Sequence, residues 1–172
     1  MALLPQNARV LIMGGGDGLA ARDLLRNPRV GAITIVDWDR AVTRLFREDA
    51  QLCALNERAL RDPRVVTVHR DVRSVFRSRR ESFDLVVGDL VDPSPADSEA
   101  ASLYSTEFYR DVETCISPGG ILVTHASSAN EELTRGVCDA LTAAQFHRTE
   151  CYVCEVPAFG EISYVLARKA CG

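Results

Sequence analysis

The run Gly14-Gly-Gly-Asp-Gly18 sets a single carboxylate, Asp17, among four glycines. Glycine lets the backbone turn sharply and approach a ligand closely, because no Cβ stands in the way. By spacing alone, Gly16-Asp-Gly18-Leu-Ala-Ala21 also fits the dinucleotide pattern G-x-G-x-x-A, with Asp37 about 20 residues on to hold a ribose. Asp17 separates the two chemistries. A carboxylate in a turn that cradles a pyrophosphate would bring like charges together, at a cost of several kcal/mol in a partly desolvated pocket. Asp17 therefore favours a cationic or neutral ligand group, unless it only caps the helix that follows at its positive end.

Four more aspartates recur where strands should end: Asp37, Asp71, Asp89 and Asp92. With Asp17 they would bring five carboxylates to one edge of a sheet. Capping alone explains such a set poorly, since mutual repulsion destabilises it unless a cation binds. An organic cation fits better than a metal: no histidine lies beside these residues, and Asp89 and Asp92 alone are a poor cage. Cys151-x-x-Cys154 lacks the two further ligands of a zinc site and falls in a strand-like stretch, so it reads as ordinary semi-buried cysteines. His125 is either a site residue or a hydrogen-bonding strand-end histidine.

The elements that must position these residues alternate short β-branched runs with amphipathic stretches, the pattern of a parallel sheet. Strands are expected at Val10–Met13, Ala32–Val36, Val65–Val68, Phe83–Val87 and Ile121–Thr124. Helices are expected to about Arg26, from near Asp39 with Val42, Leu45 and Phe46 on one face, after Asp71, from Thr106 to Ile116, and from Asn130 to Ala144. Pro118-Gly-Gly120 should turn the chain, and His147–Val156 with Ser163–Ala167 should close it as an antiparallel hairpin. This is a doubly wound, mostly parallel seven-stranded α/β sheet of the class I S-adenosylmethionine-dependent methyltransferase (Rossmann-like) type, in which ligands sit at the carboxyl ends of the strands. The segment Asp89–Ser105 reads as a long loop with no apolar residue larger than alanine between Pro93 and Leu103. It is expected to be mobile without ligand and to close over the site.

The chain has 172 residues, 47% of them hydrophobic, which suits one Rossmann-like catalytic domain over residues 1–172 and excludes a disordered chain. Its apolar runs are far shorter than a membrane helix requires. A net charge of −4 and a pI near 5.4 argue against a nucleic-acid surface. Six cysteines are too few for a disulfide scaffold, and the N-terminus lacks the basic region of a signal peptide, so a cytoplasmic setting with free thiols is expected.

Val10-Leu-Ile-Met-Gly-Gly-Gly-Asp-Gly18, Val36-Asp-Trp-Asp39, Asp62-Pro-Arg-Val65, Phe83-Asp-Leu-Val-Val-Gly-Asp-Leu-Val-Asp-Pro93, Leu103-Tyr-Ser-Thr-Glu-Phe-Tyr109 and Val156-Pro-Ala-Phe-Gly-Glu161 follow in order. From about Arg9 to Lys169 the chain resembles the spermidine synthase family of polyamine aminopropyltransferases, most of all the catalytic domain of its membrane-fused bacterial branch. The resemblance implies transfer of an aminopropyl group from decarboxylated S-adenosylmethionine to a diamine such as putrescine, releasing methylthioadenosine. No permanently bound cofactor and no metal is implied. Gly14, Gly16 and Gly18 would shape the donor site, where Asp17 holds the ammonium, Asp37 the ribose hydroxyls and Asp71 the adenine amino group. Asp89 would be catalytic, accepting the amine proton. Asp92, Tyr104 and Phe159 would contact the substrate, and Tyr109 at helical spacing from Val112 reads as core. The partners implied are polyamine and nucleoside substrates, a homodimer, and a membrane-anchored parent chain.

This chain departs from that pattern in its Asp92-Pro-Ser-Pro-Ala-Asp97 loop, in His125 where the family has glutamine, and in Ile162-Ser163 in place of Trp-Gly. No counterpart of the family's small N-terminal β-domain is expected within residues 1–172. Two alternatives stay open: an amine methyltransferase using intact S-adenosylmethionine, and a non-catalytic nucleoside-binding remnant.

Overall fold

Strand β1 (Ala8–Gly14) carries Val10, Leu11, Ile12 and Met13 in succession, all buried. A strand apolar on both faces belongs in the interior of a parallel sheet. It lies there, paired in parallel with β2 (Val30–Val36) on one side and β4 (Phe83–Asp89) on the other. Strand β3 (Val65–Val68) extends the sheet in parallel from β2. The computed structural model describes residues 4–78, 82–93, 97–128, 130–157 and 160–171. Its contacts divide the chain into two compact units, Met1–Asp89 and Leu90–Gly172.

In the first unit, α1 (Leu19–Leu25), α2 (Arg40–Glu48), α3 (Ala50–Leu55) and α4 (Arg73–Ser78) alternate with the strands. Asp39 caps α2 by accepting from the amides of Ala41 and Val42, and Asp49 caps α3 through Gln51 and Leu52. Of the expected apolar face of α2 only Phe46 is half-buried. Leu45 is 52% exposed and Val42 is exposed too, whereas Thr43 is the residue of α2 that is buried. The helix approaches the sheet by the Thr43 edge, where the glycine turn leaves room for a small side chain.

The second unit holds α5 (Ser98–Ser102), α6 (Thr106–Thr114), β5 (Ile116–Ser128), α7 (Glu131–Ala143), β6 (Arg148–Val156) and β7 (Gly160–Arg168). Strand β7 pairs antiparallel with both β5 and β6, so the expected closing hairpin is present. Strand order is β3-β2-β1-β4 in the first unit, all parallel, and β5-β7-β6 in the second, seven strands in all. The structure departs from the sequence pattern at three places in this unit. Strand β5 begins at Ile116 rather than Ile121, because Gly119 and Gly120 bond to Ala170 and Lys169 instead of turning the chain away. Helix α6 ends at Thr114, and its cap is Ser105, whose hydroxyl accepts from the Phe108 amide. The long loop contains α5, started by Asp97 accepting from the amides of Glu99 and Ala100 and anchored by buried Ala100.

Tyr109 is fully buried, as its spacing from Val112 suggests, and burial holds its phenol in the neutral form. Cys151 and Cys154 are exposed free thiols rather than semi-buried ones, in a stretch of β6, Cys151–Glu155, whose residues are all exposed among the described residues.

Candidate active site

In the first unit the glycine turn joins β1 to α1 through positive backbone φ angles at Gly14 (79°), Gly15 (66°) and Gly18 (77°). Only glycine takes these without strain. Space is as restrictive as conformation. A Cβ on Gly15 would lie 2.9 Å from Ile12 Cγ2 and 3.0 Å from Asp89 Oδ2, and one on Gly16 would lie 2.6 Å from Asp37 Oδ2. The turn thus runs against two carboxylates at the carboxyl ends of β2 and β4. Gly14 and Asp89 are direct register partners across the β1–β4 pair.

Asp37 is held on both oxygens. The Gly16 amide donates to Oδ2 at 2.8 Å and the Asp39 amide to Oδ1 at 2.8 Å. Its own amide donates to the Val68 carbonyl at 3.1 Å, which fixes the end of β2 to β3. A carboxylate fixed this way presents its remaining lone pairs in one direction, ready for hydroxyl donors. Beside it Trp38 stands 81% exposed.

Asp17 Oδ1 accepts from the Leu19 amide at 3.0 Å, but the N-cap of α1 is Gly18, so Asp17 braces the turn ahead of the helix rather than capping it. That bond uses one oxygen and leaves the carboxylate at the turn. Asp71 caps α4 through the Arg73 amide at 2.8 Å and pairs with the Arg73 guanidinium at 3.1 Å. Its charge is therefore already partly balanced within its own turn, unlike that of Asp37.

In the second unit Asp92 is held by residues that the spacing does not reveal. His125 Nδ1 lies 3.1 Å from Oδ1, and the Ser128 hydroxyl donates to Oδ2 at 3.0 Å. His125 Nε2 is buried with no hydrogen-bond partner among the described residues, and the ring packs on Tyr164 with centroids 5.8 Å apart. Tyr104 is buried and donates its hydroxyl to the Val91 carbonyl at 2.8 Å, which fastens the chain just before Asp92. Phe159 and the loop residues 94–96 lie outside the described residues.

Three residues at these sites escape a reading by motif: Thr43 against Gly16, Asn56 beneath the turn, and Ser128 on Asp92. Among the described residues no three His, Cys, Asp or Glu side chains are grouped to hold a metal ion, and no helix is long and apolar enough to cross a membrane. A cleft of about 370 Å³ opens elsewhere, between Arg22, Arg26, Arg58 and Arg61. Arg22, Arg26 and Arg61 there are already bonded to Asp23, Glu57 or backbone carbonyls.

A glycine turn lined by carboxylates, at the carboxyl ends of parallel strands, marks the Rossmann-like methyltransferase-type class, whose ligands sit at that edge. Within this class the chain belongs to the spermine/spermidine synthase family, whose domain model matches residues 1–170. It is 38% identical over 160 residues to a polyamine aminopropyltransferase of Ralstonia nicotianae, covering 92% of this chain and 31% of that protein. It is 37% identical over 169 residues to one of Streptomyces coelicolor, covering 97% and 31%. The chain thus spans about a third of the length of these relatives. The spermidine synthase of Thermotoga maritima superimposes with a TM-score of 0.82 at 23% identity, over 99% of this chain and 56% of that one. A spermidine synthase in complex with the transition state analogue AdoDATO gives 0.84 at 22% identity, over 99% and 57%. These structures share the fold.

Proposed function

We propose that the protein is a polyamine aminopropyltransferase that moves an aminopropyl group from decarboxylated S-adenosylmethionine to a diamine such as putrescine, releasing methylthioadenosine. The observation that carries this reading is the acidic glycine turn. Asp17 lies within it, and Asp37 and Asp89 stand about 3 Å from the positions of side chains its glycines lack. Such a turn suits a donor that carries a sulfonium and an ammonium but no carboxylate. Family membership and the names of the relatives support the same chemistry.

In this reading Gly14, Gly16 and Gly18 let the backbone reach the donor. Asp17 takes its ammonium, Asp37 its ribose hydroxyls and Asp71 its adenine amino group. The amine nitrogen attacks the aminopropyl carbon next to sulfur; the C–N bond forms as the C–S bond breaks, and the sulfur leaves as a neutral thioether. Asp89 accepts the proton that the amine gives up, and Asp92, Tyr104 and Phe159 position the diamine. The donor is a co-substrate, and no permanently bound cofactor is needed. A cytoplasmic catalytic domain, a homodimer and a parent chain of the membrane-fused bacterial branch complete the proposal.

The test is turnover by the full-length protein with putrescine and decarboxylated S-adenosylmethionine, read as methylthioadenosine. Asp89→Asn keeps the shape but removes the proton acceptor, and kcat should fall by about 100-fold or more. An active parent with an unaffected Asp89→Asn variant would remove Asp89 from the reaction. No methylthioadenosine from the full-length protein would remove the reaction itself.

A further inference from the structure

Asn56 has no place in any motif of the chain, yet it is fully buried beneath the glycine turn. Its Nδ2 donates to two backbone carbonyls, Asp17 at 2.7 Å and Phe46 at 3.2 Å. The two partners differ in kind. Phe46 lies three residues before α2 gives way to the extended Asp49, so its carbonyl has no continuing helix to supply a donor. Asp17 is the acidic residue of the turn itself. A single carboxamide thus satisfies an orphan carbonyl at the end of α2 and fastens the turn to it.

The floor of the turn is tight around this bond. A Cβ at Gly18 would lie 3.1 Å from Asn56 Nδ2 and 2.7 Å from Leu60 Cγ. Leu60 is buried, so the turn cannot settle lower, and Asn56 prevents it from lifting. Asn56 Oδ1 is buried with no hydrogen-bond partner among the described residues, so the carboxamide sits here for its donor side. A buried polar group left half-satisfied is an uncommon arrangement, kept where the other half has a use.

We propose that Asn56 is a positioning residue for the nucleoside donor: by holding the Asp17 carbonyl it sets where the Asp17 carboxylate and the turn amides stand. This rests on the reading of the turn as the donor site. Asn56 touches no substrate and acts only through Asp17. Asparagine is suited to the task because its amide has two donor hydrogens for two carbonyls. Aspartate has the same shape and would oppose an oxygen to both.

The test uses Asn56→Ala and Asn56→Asp in the full-length protein, with two readouts. Backbone amide exchange without ligand reads the turn directly, since the Gly18 amide donates to the Gly15 carbonyl at 3.0 Å. Exchange at Gly18 and Leu19 should quicken about tenfold or more in both variants, while Leu11 and Ile12 in β1 keep their protection. Calorimetry should show the Kd for decarboxylated S-adenosylmethionine rising about tenfold or more, with KM for the amine unchanged in turnover. Unchanged exchange at Gly18 and Leu19 would overturn the proposal. So would equal acceleration throughout β1, which would make Asn56 a general support of the core. If the parent protein bound no donor at all, the reading of the turn would fail, and the exchange measurement would still decide what Asn56 does.

Discussion

Gly16→Ala is the sharpest small perturbation of the candidate site. Gly16 needs no positive φ, so the effect comes from space alone. The new methyl would sit 2.6 Å from Asp37 Oδ2, 2.9 Å from Asp37 Cγ and 2.7 Å from Thr43 Oγ1. These distances are about an ångström short of van der Waals contact. Asp37 cannot yield freely, because the Gly16 and Asp39 amides hold its two oxygens, and Thr43, which meets the same methyl, is buried. Overpacking costs roughly 1–3 kcal/mol. Losing a hydrogen bond to a charged group adds about 1.5–3 kcal/mol. With partial relaxation the fold should lose about 2–4 kcal/mol in urea denaturation at pH 7. Binding of methylthioadenosine should weaken by about tenfold or more, since Asp37 is displaced from its bonded position. Gly136→Ala is the internal control: it lies within α7 with nothing inside 4 Å of its added Cβ. A Gly16→Ala variant as stable as the parent, with unchanged nucleoside affinity, would refute the placement of Asp37 against the turn.

Gly136→Ala itself should stabilise the protein by about 0.5–1 kcal/mol in the same denaturation series, because a helix interior favours alanine. The Arg64 fork on Asp62, with contacts of 3.0 Å to each oxygen, holds that carboxyl below its ordinary pKa. A lowered carboxylate stabilises above its unfolded pKa of about 4 and loses that contribution as pH falls through the folded value. The difference between the parent and Arg64→Met should therefore be at most about 1 kcal/mol at pH 7, for a partly exposed pair, and shrink toward zero in acid denaturation below about pH 4. Burial pushes the Cys115 thiol up to about 12. A disulfide reagent at pH 8 should thus modify Cys151, Cys154 and Cys171 in the native protein but reach Cys53 and Cys115 only after unfolding, as mass spectrometry of digests would show.

What was legible in the sequence was what is local or periodic. The unbroken apolar run of β1 announces a central parallel strand, and the glycine turn with Asp37 and Asp89 follows from strand-end spacing. The spacing starts strand β5 five residues late, at Ile121, because Pro118-Gly-Gly120 carries turn chemistry, while its partners near residue 170 override that preference. The apolar spacing of α2 misled for a related reason. Contact with Gly16 demands a small residue, so Thr43 turns inward and Leu45 faces out. Helix α5 escaped notice because its five residues bear no apolar side chain beyond alanine. The supports of the site were illegible because they are remote in the chain. Asn56 reaches Asp17 across 39 positions, and Ser128 reaches Asp92 across 36. No periodicity encodes such pairs; only the folded sheet brings them together.

The most direct test of the central claim, that this acidic turn receives a cationic nucleoside without a carboxylate, is a paired titration. Trp38, the only tryptophan in the chain and the neighbour of Asp37, supplies the fluorescence signal. Decarboxylated S-adenosylmethionine should bind at least about tenfold more tightly than intact S-adenosylmethionine, a difference of about 1.4 kcal/mol. Asp17→Asn should narrow that gap by weakening the decarboxylated ligand. Equal or tighter binding of intact S-adenosylmethionine would contradict the account.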